Sequence, residues 1–539
     1  VGYRVRGDSK ISEATRIEVV TEAILTRRIQ NNPDLPGVGT VIFDEFHERS
    51  LHADLGLALA LEVREALRPD LKLLVMSATL DAAPVAALMG GAPVITSKGR
   101  SFPVETRYLP RPRDKTLRFE AAVSDLVLEA LNTDRGSALV FLPGEGEIRR
   151  VQQNLSGRIA ADIVLRPLYG AMKLADQQAA IRPSKEGRKV VLATSVAETS
   201  LTIEDIGIVV DGGLARRARF DPNSGMSRLV TERVTRAEAE QRRGRAGRVA
   251  EGVCYRLWTR GEEGALAAFA PAEIEVADLS SLVLELAQWG AAPGEIGFLT
   301  PPSEGAFAGA QKLLKLLGAL DAENRITAHG KTIASLPVHP RLAHMLAVAG
   351  KDAAGLAALL SDRDLDRSAG VDLMVRLDIL SGRRSAPNSK ARDRLRVEAN
   401  RLADLVRDRP RVSVSAMAAL AYPDRIGLRR DGDAPRWLLS GGKGARMDEG
   451  AALSGARMIV ATDLDGDARE ARIRLALAID EADVRELFSD QIGWQKSCQW
   501  SKRNRTVEAR EREVFGALAL KERNWREVPP EDVAAAALE

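Results

Sequence analysis

The chain has 539 residues, 45% hydrophobic and 28% charged, with a formal net charge of +3. That length implies several domains with real cores, and no uninterrupted stretch reaches the roughly 18 apolar residues that a membrane span needs. Two cysteines, Cys254 and Cys498, are too few for a disulfide scaffold and fit a reducing, cytoplasmic setting.

The first residue is Val1, inside what already reads as a domain and with no secretory leader, so a longer parent protein is expected. Residues 1–39 hold strand-like pieces and a helix from about Thr21 to Gln30. Thr40 to Glu48, TVIFDEFHE, is a short buried strand with two carboxylates at its C-terminal mouth, where open α/β sheets hold phosphate and metal ligands. Asp44 and Glu45 suit a Mg²⁺ ligand and a group that orients the attacking water. Taken alone, they are equally a solvated turn after a core strand. A helix near Asp54–Leu67 and a strand at Leu71–Met76 follow, the latter running into Ser77-Ala78-Thr79. His47 and His52 stand at i and i+5, not i and i+4, so they do not share a helix face and zinc is excluded.

Residues 81–110 read as a helix and a Gly/Pro-rich linker. A second α/β domain follows, with strands at Ala138–Leu142, Arg166–Gly170 and Lys189–Ala193 and a helix over Gln177–Arg182. Residues 194–205, TSVAETSLTIED, supply hydroxyls after a strand; these are phosphate ligands or helix caps. Residues 216–234 read as a hairpin turning at Asp-Pro-Asn-Ser-Gly. Gln241 to Arg248, QRRGRAGR, spaces Arg242, Arg245 and Arg248 by three, along one face of a helix. Arginine suits a phosphate fork and the charge that develops in phosphoryl transfer. Acids on one sheet and arginines about 200 residues later suggest a nucleotide sandwiched between two domains.

Beyond Trp258 the pattern turns helical, with Asp278–Trp289 and Ala306–Leu317, the second stopped by Gly318. Pro340–Arg407 is nearly all helical, and from Val412 short strands and turns are expected. Gly441-Gly442-Lys443-Gly444 is no phosphate loop, and no G-x-x-x-x-G-K-[ST] occurs in the chain. Locally, residues 211–248 carry ten arginines against five acids. Lys496, Lys502, Arg503 and Arg505 cluster near Trp494 and Trp500, which suits single-stranded nucleic acid or a plain solvated face.

DEFH at 44–47, SAT at 77–79, VLATSVAETSLTIED at 191–205 and QRRGRAGR at 241–248 stand in the order and spacing of a superfamily 2 helicase. The chain resembles the DEAH/RHA branch, and DEFHERS, with Phe46 where alanine is commonest, looks most like the bacterial HrpB-type helicases. The resemblance covers nearly the whole chain. It implies an α/β architecture of two RecA-like domains, the first partial, at 1–98 and 99–260. A winged-helix segment (261–338, with a wing over Arg325–Leu336), a helical ratchet-like bundle (339–410) and a β-rich, OB-like region (411–539) would follow. It implies an ATP-dependent RNA (or DNA) helicase moving 3′ to 5′, with ATP or another NTP and Mg²⁺ as cofactors and single-stranded nucleic acid as partner.

By the same resemblance Asp44 and Glu45 hold Mg²⁺ and act on the attacking water. Gln241 sits near the γ-phosphate and His47, while Arg245 and Arg248 stabilise the developing charge. Ser77, Thr79 and Glu204 face the nucleotide, Ser77 and Thr79 also coupling hydrolysis to lobe motion; Thr21 and Thr194 face the nucleic-acid backbone. The hairpin at 216–234 acts as a strand separator. Ala23 replaces a commoner glycine and Ser195 a commoner asparagine. Only Ile181 and Arg182 stand where relatives often stack an aromatic on adenine, which implies loose base selection. The phosphate-cradling loop lies upstream of Val1 in the family, so these residues alone are expected to be nearly inactive. The competing class is a binding scaffold without turnover.

Overall fold

The computed structural model describes the chain except residues 6–7, 79–81, 98–101, 115, 171, 185–186, 199–202, 222–225, 363, 367, 468, 502–505 and 539, and except the side chains of 174, 221 and 226–228. The chain divides into two compact units, the first comprising Val1–Arg219, Leu229–Ala277 and Gly297–Pro301 and the second the remainder.

The first unit is built on a six-stranded sheet in the order Val104–Tyr108, Gly252–Arg256, Ile206–Asp211, Ser137–Phe141, Arg188–Ala193, Ile163–Leu168. Every neighbouring pair is parallel. Parallel strands are covered on both faces, which explains why these runs are continuously apolar. Along Ser137–Phe141 the side chains alternate between two cores. Ala138 and Val140 pack with the helices Phe119–Thr133 and Glu145–Leu155, and Leu139 and Phe141 pack with Ala180, Val209 and Ala246. Earlier in the chain, Thr40–Phe43 pairs in parallel with Lys72–Val75, flanked by the helices Glu22–Asn31 and Leu51–Ala66. A small sheet of Asp8–Lys10, Gly2–Val5 and Glu18–Val20 precedes them.

The second unit is helical from Ser280–Trp289 through Ser389–Ala403. It then closes a barrel in the order Ile426–Arg429, Arg436–Leu439, Gly444–Arg446, Glu470–Ala478, Met458–Leu464 around a fully buried Trp437. Closure leaves no free edge, the usual solution for short antiparallel strands and the hallmark of an OB-like region. A separate antiparallel sheet of Ile492–Ser501, Thr506–Phe515 and Leu518–Asn524 follows, with the helix Pro530–Leu538 against its first two strands.

Two local expectations are corrected. The wing over Arg325–Leu336 is mostly the helix Ala328–Ser335, started by Thr327, whose hydroxyl accepts from the Gly330 N–H at 2.9 Å; only a single bridge, Leu320 to Ile326, is β. A helix, Val414–Ala421, opens the region expected to be all strands and turns, because its alanines and Met417 bury chiefly against the helix Pro340–Ala349. The hairpin forms as Leu214–Asp221 and Met226–Arg233, but most of its turn falls outside the described residues. The segment Pro340–Ser361 has the length and the mean hydropathy, 1.2, of a membrane-crossing helix, yet 67% of it is buried within the unit. It breaks into two helices at Gly350, where φ is +70°.

Gly213 follows the strand Ile206–Asp211 with φ +72°, and a Cβ there would lie 2.8 Å from the Trp258 ring. Gly213→Ala should therefore destabilise the first unit by about 1–3 kcal/mol, read as a lower midpoint of thermal unfolding; an unchanged midpoint would contradict the tight packing.

Candidate active site

The strand Thr40–Phe43 delivers its acids by leaving the sheet abruptly. Asp44 is exposed, Glu45 takes left-handed backbone angles (φ 50°, ψ 33°), a 3₁₀ turn runs over Phe46–Glu48, and Arg49 is left-handed again (φ 50°). Two non-glycine residues in that region cost about 1–3 kcal/mol each, so neighbouring contacts must hold them. Phe46 is 1% exposed, its N–H donates to the Met76 carbonyl at 3.0 Å, and the Met76 N–H donates to Phe43 O at 2.8 Å. Arg49 forks both oxygens of the buried Asp54 at 2.9 Å and donates to Thr300 Oγ1 at 2.9 Å. Burial pushes the Asp54 carboxyl above its ordinary value, and the Arg49 charge opposes that rise. The Glu273 carboxylate accepts the Leu51 N–H at 2.7 Å, and the Glu273 N–H donates to Arg49 O at 3.1 Å. Asp44 and Glu45 are thereby left facing solvent at the strand mouth, with the Glu45 N–H on Asp44 Oδ1 at 2.9 Å.

His47 joins this turn to two other motifs. Its Nδ1 lies 3.4 Å from Glu45 Oε2 and accepts the Ala78 N–H at 3.4 Å, so the SAT loop and the DEFH turn touch directly. Its Nε2 lies 2.7 Å from Gln241 Nε2, 194 residues away in sequence, with donor and acceptor set by the ring tautomer.

Gln241 rides on the helix Arg236–Gly244, opened by a capping box in which Thr235 and Glu238 satisfy each other's backbone N–H groups. The next residue, Arg242, is 1% exposed. Its guanidinium donates to Glu198 Oε1 at 2.7 Å and Asp211 Oδ1 at 2.7 Å and lies over the Phe141 ring at 4.9 Å. Burial acts against its charge, but the two carboxylates outweigh burial and keep the guanidinium protonated. Arg245, 6% exposed, donates to the Glu198 carbonyl. Burial and then the Arg248 charge hold Arg245 down to about 10, against Glu198 and Glu45. The field of Glu45 thus reaches Arg245 across the two motifs, and the arginine stays cationic at neutral pH.

The arginine face expected from three-residue spacing does not form. The helix ends at Gly244 and tightens to a 3₁₀ turn over Arg245–Gly247, so Arg242 points into the core, Arg245 stays largely covered and Arg248 is exposed. Within residues 211–248, Arg216, Arg217, Arg219, Arg242 and Arg243 each pair with a carboxylate, and two of the partners, Glu147 and Glu198, lie outside that stretch. Glu45, His47, Gln241 and Arg245 are brought together. Ser77 is exposed beside Ala78, and Thr79 lies outside the described residues. Thr21 is the N-cap of Glu22–Asn31, but its side chain makes no cap hydrogen bond. Thr194 is half-buried after the strand Arg188–Ala193, and its N–H donates to Leu168 O at 3.2 Å. Glu204 is exposed in the turn before Ile206, where its charge acts on Lys189. The anchors Glu198, Asp211, Arg49 and Asp54 were not among the expected site residues. Asp211 had a signal, a lone acid ending an apolar strand. Beside the His47–Gln241 contact is a cavity of about 400 Å³ that also meets Arg49, Phe269, Pro271 and Thr300.

Glu45 and His47 on one α/β lobe thus stand with Gln241 and Arg245 of a second. The helicase conserved C-terminal domain matches residues 120–250. The chain is 43% identical over 530 residues to the ATP-dependent RNA helicase HrpB of Escherichia coli K12, covering 97% of this chain and 64% of that protein. To HrpA of the same organism it is 36% identical over 362 residues, 65% of this chain and 28% of that one. A crystal structure of the Escherichia coli DEAH/RHA helicase HrpB is similar with a TM-score of 0.86 and 40% identity, over 99% of this chain and 67% of that chain. The chain belongs to the DEAH/RHA helicase family, in its HrpB-type branch. It spans 64% of the length of the curated HrpB relative.

Arg242→Ala would leave Glu198 and Asp211 buried without their cation. The expected cost is about 3–5 kcal/mol, seen as a large fall in unfolding midpoint of the first unit; a loss comparable to a surface arginine would contradict the triad.

Proposed function

We propose that the protein is an NTP-dependent helicase or translocase that acts on RNA (or DNA) and moves 3′ to 5′. The observation that carries the reading is the 2.7 Å contact of His47 with Gln241, which sets Glu45 and Arg245 within each other's field. In this reading Glu45 orients the attacking water and takes its proton, Gln241 positions the γ-phosphate side of the site, and Arg245 and Arg248 stabilise charge on the transferred group. Asp44 and Glu45 offer exposed hard-oxygen donors that fit Mg²⁺, which when bound neutralises phosphate charge. Ser77 reports the nucleotide state through the Ala78–His47 bond, Thr79 and Glu204 add nucleotide contacts, and Thr21 and Thr194 hold the nucleic-acid backbone. The domains are assigned as 1–98, 99–260, 261–338, 339–410 and 411–539, and a cytoplasmic location suits the free cysteines.

The second reading, a nucleic-acid scaffold without turnover, draws on the lack of any G-x-x-x-x-G-K-[ST] in these 539 residues. The exposed apolar side chains Ile42 (52%) and Leu74 (45%) on the Thr40–Phe43 and Lys72–Val75 pair support an incomplete first lobe, since parallel strands are normally covered on both faces. The 539-residue chain alone is therefore expected to hydrolyse NTP at or near background.

RNA-stimulated ATP hydrolysis is the test, on this chain and on a longer form that carries the phosphate loop. Turnover in the longer form alone, accelerated by RNA, supports the helicase; RNA binding with no hydrolysis in either favours the scaffold. In the active form Arg245→Ala should lower stimulated turnover by about 10³–10⁵-fold with RNA affinity kept, and equal loss of both would sink the assignment.

A further inference from the structure

The C-terminal sheet carries an aromatic and basic face that the hydrolytic site does not use. Alternate residues of a strand share a face, so Trp494, Lys496, Cys498 and Trp500 of Ile492–Ser501 stand together. The antiparallel register adds Glu511 opposite Lys496 and Glu513 opposite Trp494, and from the third strand Arg523 opposite Glu511 and Lys521 opposite Glu513. Side-chain contacts agree with that register. The Arg523 guanidinium lies 4.2 Å from the Trp494 ring centre, and Lys496 Nζ lies 4.8 Å from that of Trp525. Trp525 is fixed to the sheet by its N–H on Ala509 O at 3.0 Å.

The face is open, and its three cations, Lys496, Lys521 and Arg523, outnumber Glu511 and Glu513 by one. Trp494 is 45% and Trp500 39% exposed, although the helix Pro530–Leu538 also packs on these strands. Both carboxylates on the face are already neutralised: Glu511 bonds Arg523 at 2.6 Å and Lys496 at 3.7 Å, and Glu513 bonds Arg485 at 2.8 Å. In sequence residues 502–505 are Lys-Arg-Asn-Arg, and their placement lies outside the described residues. Exposed tryptophans are costly on a soluble surface, whereas a sheet that pairs flat rings with cations is how single strands are bound, by base stacking and phosphate neutralisation.

We propose that this face is a second binding site for single-stranded nucleic acid, with bases stacked on Trp494 and Trp500 and phosphates held by Lys496, Lys521 and Arg523. The proposal rests on the reading of the protein as one that acts on nucleic acid, and it adds an anchor separate from the lobes. Stacking on rings is indifferent to the sugar, so RNA and DNA strands of one sequence should bind this face alike. The two tryptophans are six residues apart, about 20 Å along a strand. An eight-nucleotide strand spans that distance even when fully stacked, at about 3.4 Å per nucleotide.

The test titrates the 539-residue chain with eight-nucleotide RNA and DNA strands and reads tryptophan emission and affinity. Crosslinks from 5-iodouridine are mapped on the unaltered protein. The expected result is quenching by both strands, weakened by salt, with crosslinks in the segment 492–501. Trp494→Ala with Trp500→Ala should remove the quench and weaken binding by about fivefold or more, and Phe at both positions should restore most of the affinity. Crosslinks confined to the first unit, with affinity and quench unchanged in the double variant, would overturn the second site and leave the helicase reading standing. No binding of either strand by the intact chain would overturn both.

Discussion

A guanidinium taken out of water is tolerable only when opposite charge meets it, and Arg242 is met from two directions. Glu198 comes from the turn after Arg188–Ala193 and Asp211 from the end of Ile206–Asp211, so a single buried cation ties the arginine-rich helix to the ends of the two strands that flank Ser137–Phe141. This fixes the rotation of the helix as well as its position. The residue before Arg242 is turned away from the buried pair by the helical advance of about 100°, so Gln241 reaches His47, while Arg245, in the 3₁₀ turn that follows, reaches the Glu198 carbonyl. The triad is therefore a positioning device, and the charge-handling groups inherit their aim from it.

The other half of the site is held by strain and clamps. Glu45 and Arg49 both occupy left-handed backbone angles, and the turn between them persists because Phe46 is sunk beneath it and Arg49 is bolted to Asp54 and Thr300. The same turn gives Ala78 its contact with His47. One histidine thus reads the SAT loop through Nδ1 and the second lobe through Nε2. Glu45 Oε2 lies 3.4 Å from the same Nδ1.

The parts of this arrangement that follow from local rules were legible in the sequence. The strand Thr40–Phe43 with acids at its mouth, the paired strand before Ser77, the apolar parallel strands of the second lobe and the short barrel strands after Tyr422 all follow from apolar runs and turn residues. Asp44 and Glu45 are exposed, and His47 meets Gln241. What spacing alone misjudged was the fate of the arginines. A three-residue repeat makes a common face only on an unbroken helix, and Gly244 breaks this one. Counting charge within residues 211–248 missed partners such as Glu147 and Glu198, which reach the arginines from strands and helices far away in sequence. The helices Ala328–Ser335 and Val414–Ala421 were missed because short alanine-rich segments take their conformation from packing as much as from propensity.

The central claim is that His47 and Gln241 act as one connection between the carboxylates and the arginines. A double-mutant cycle on nucleic-acid-stimulated NTP hydrolysis tests it most directly, with His47→Ala, Gln241→Ala and both together in the form that carries the phosphate loop. The account predicts strong non-additivity, with the double variant close to the worse single variant and a coupling of about 1–3 kcal/mol. Effects that simply multiply would show that the two residues act independently, and the link between the lobes would have to be sought elsewhere.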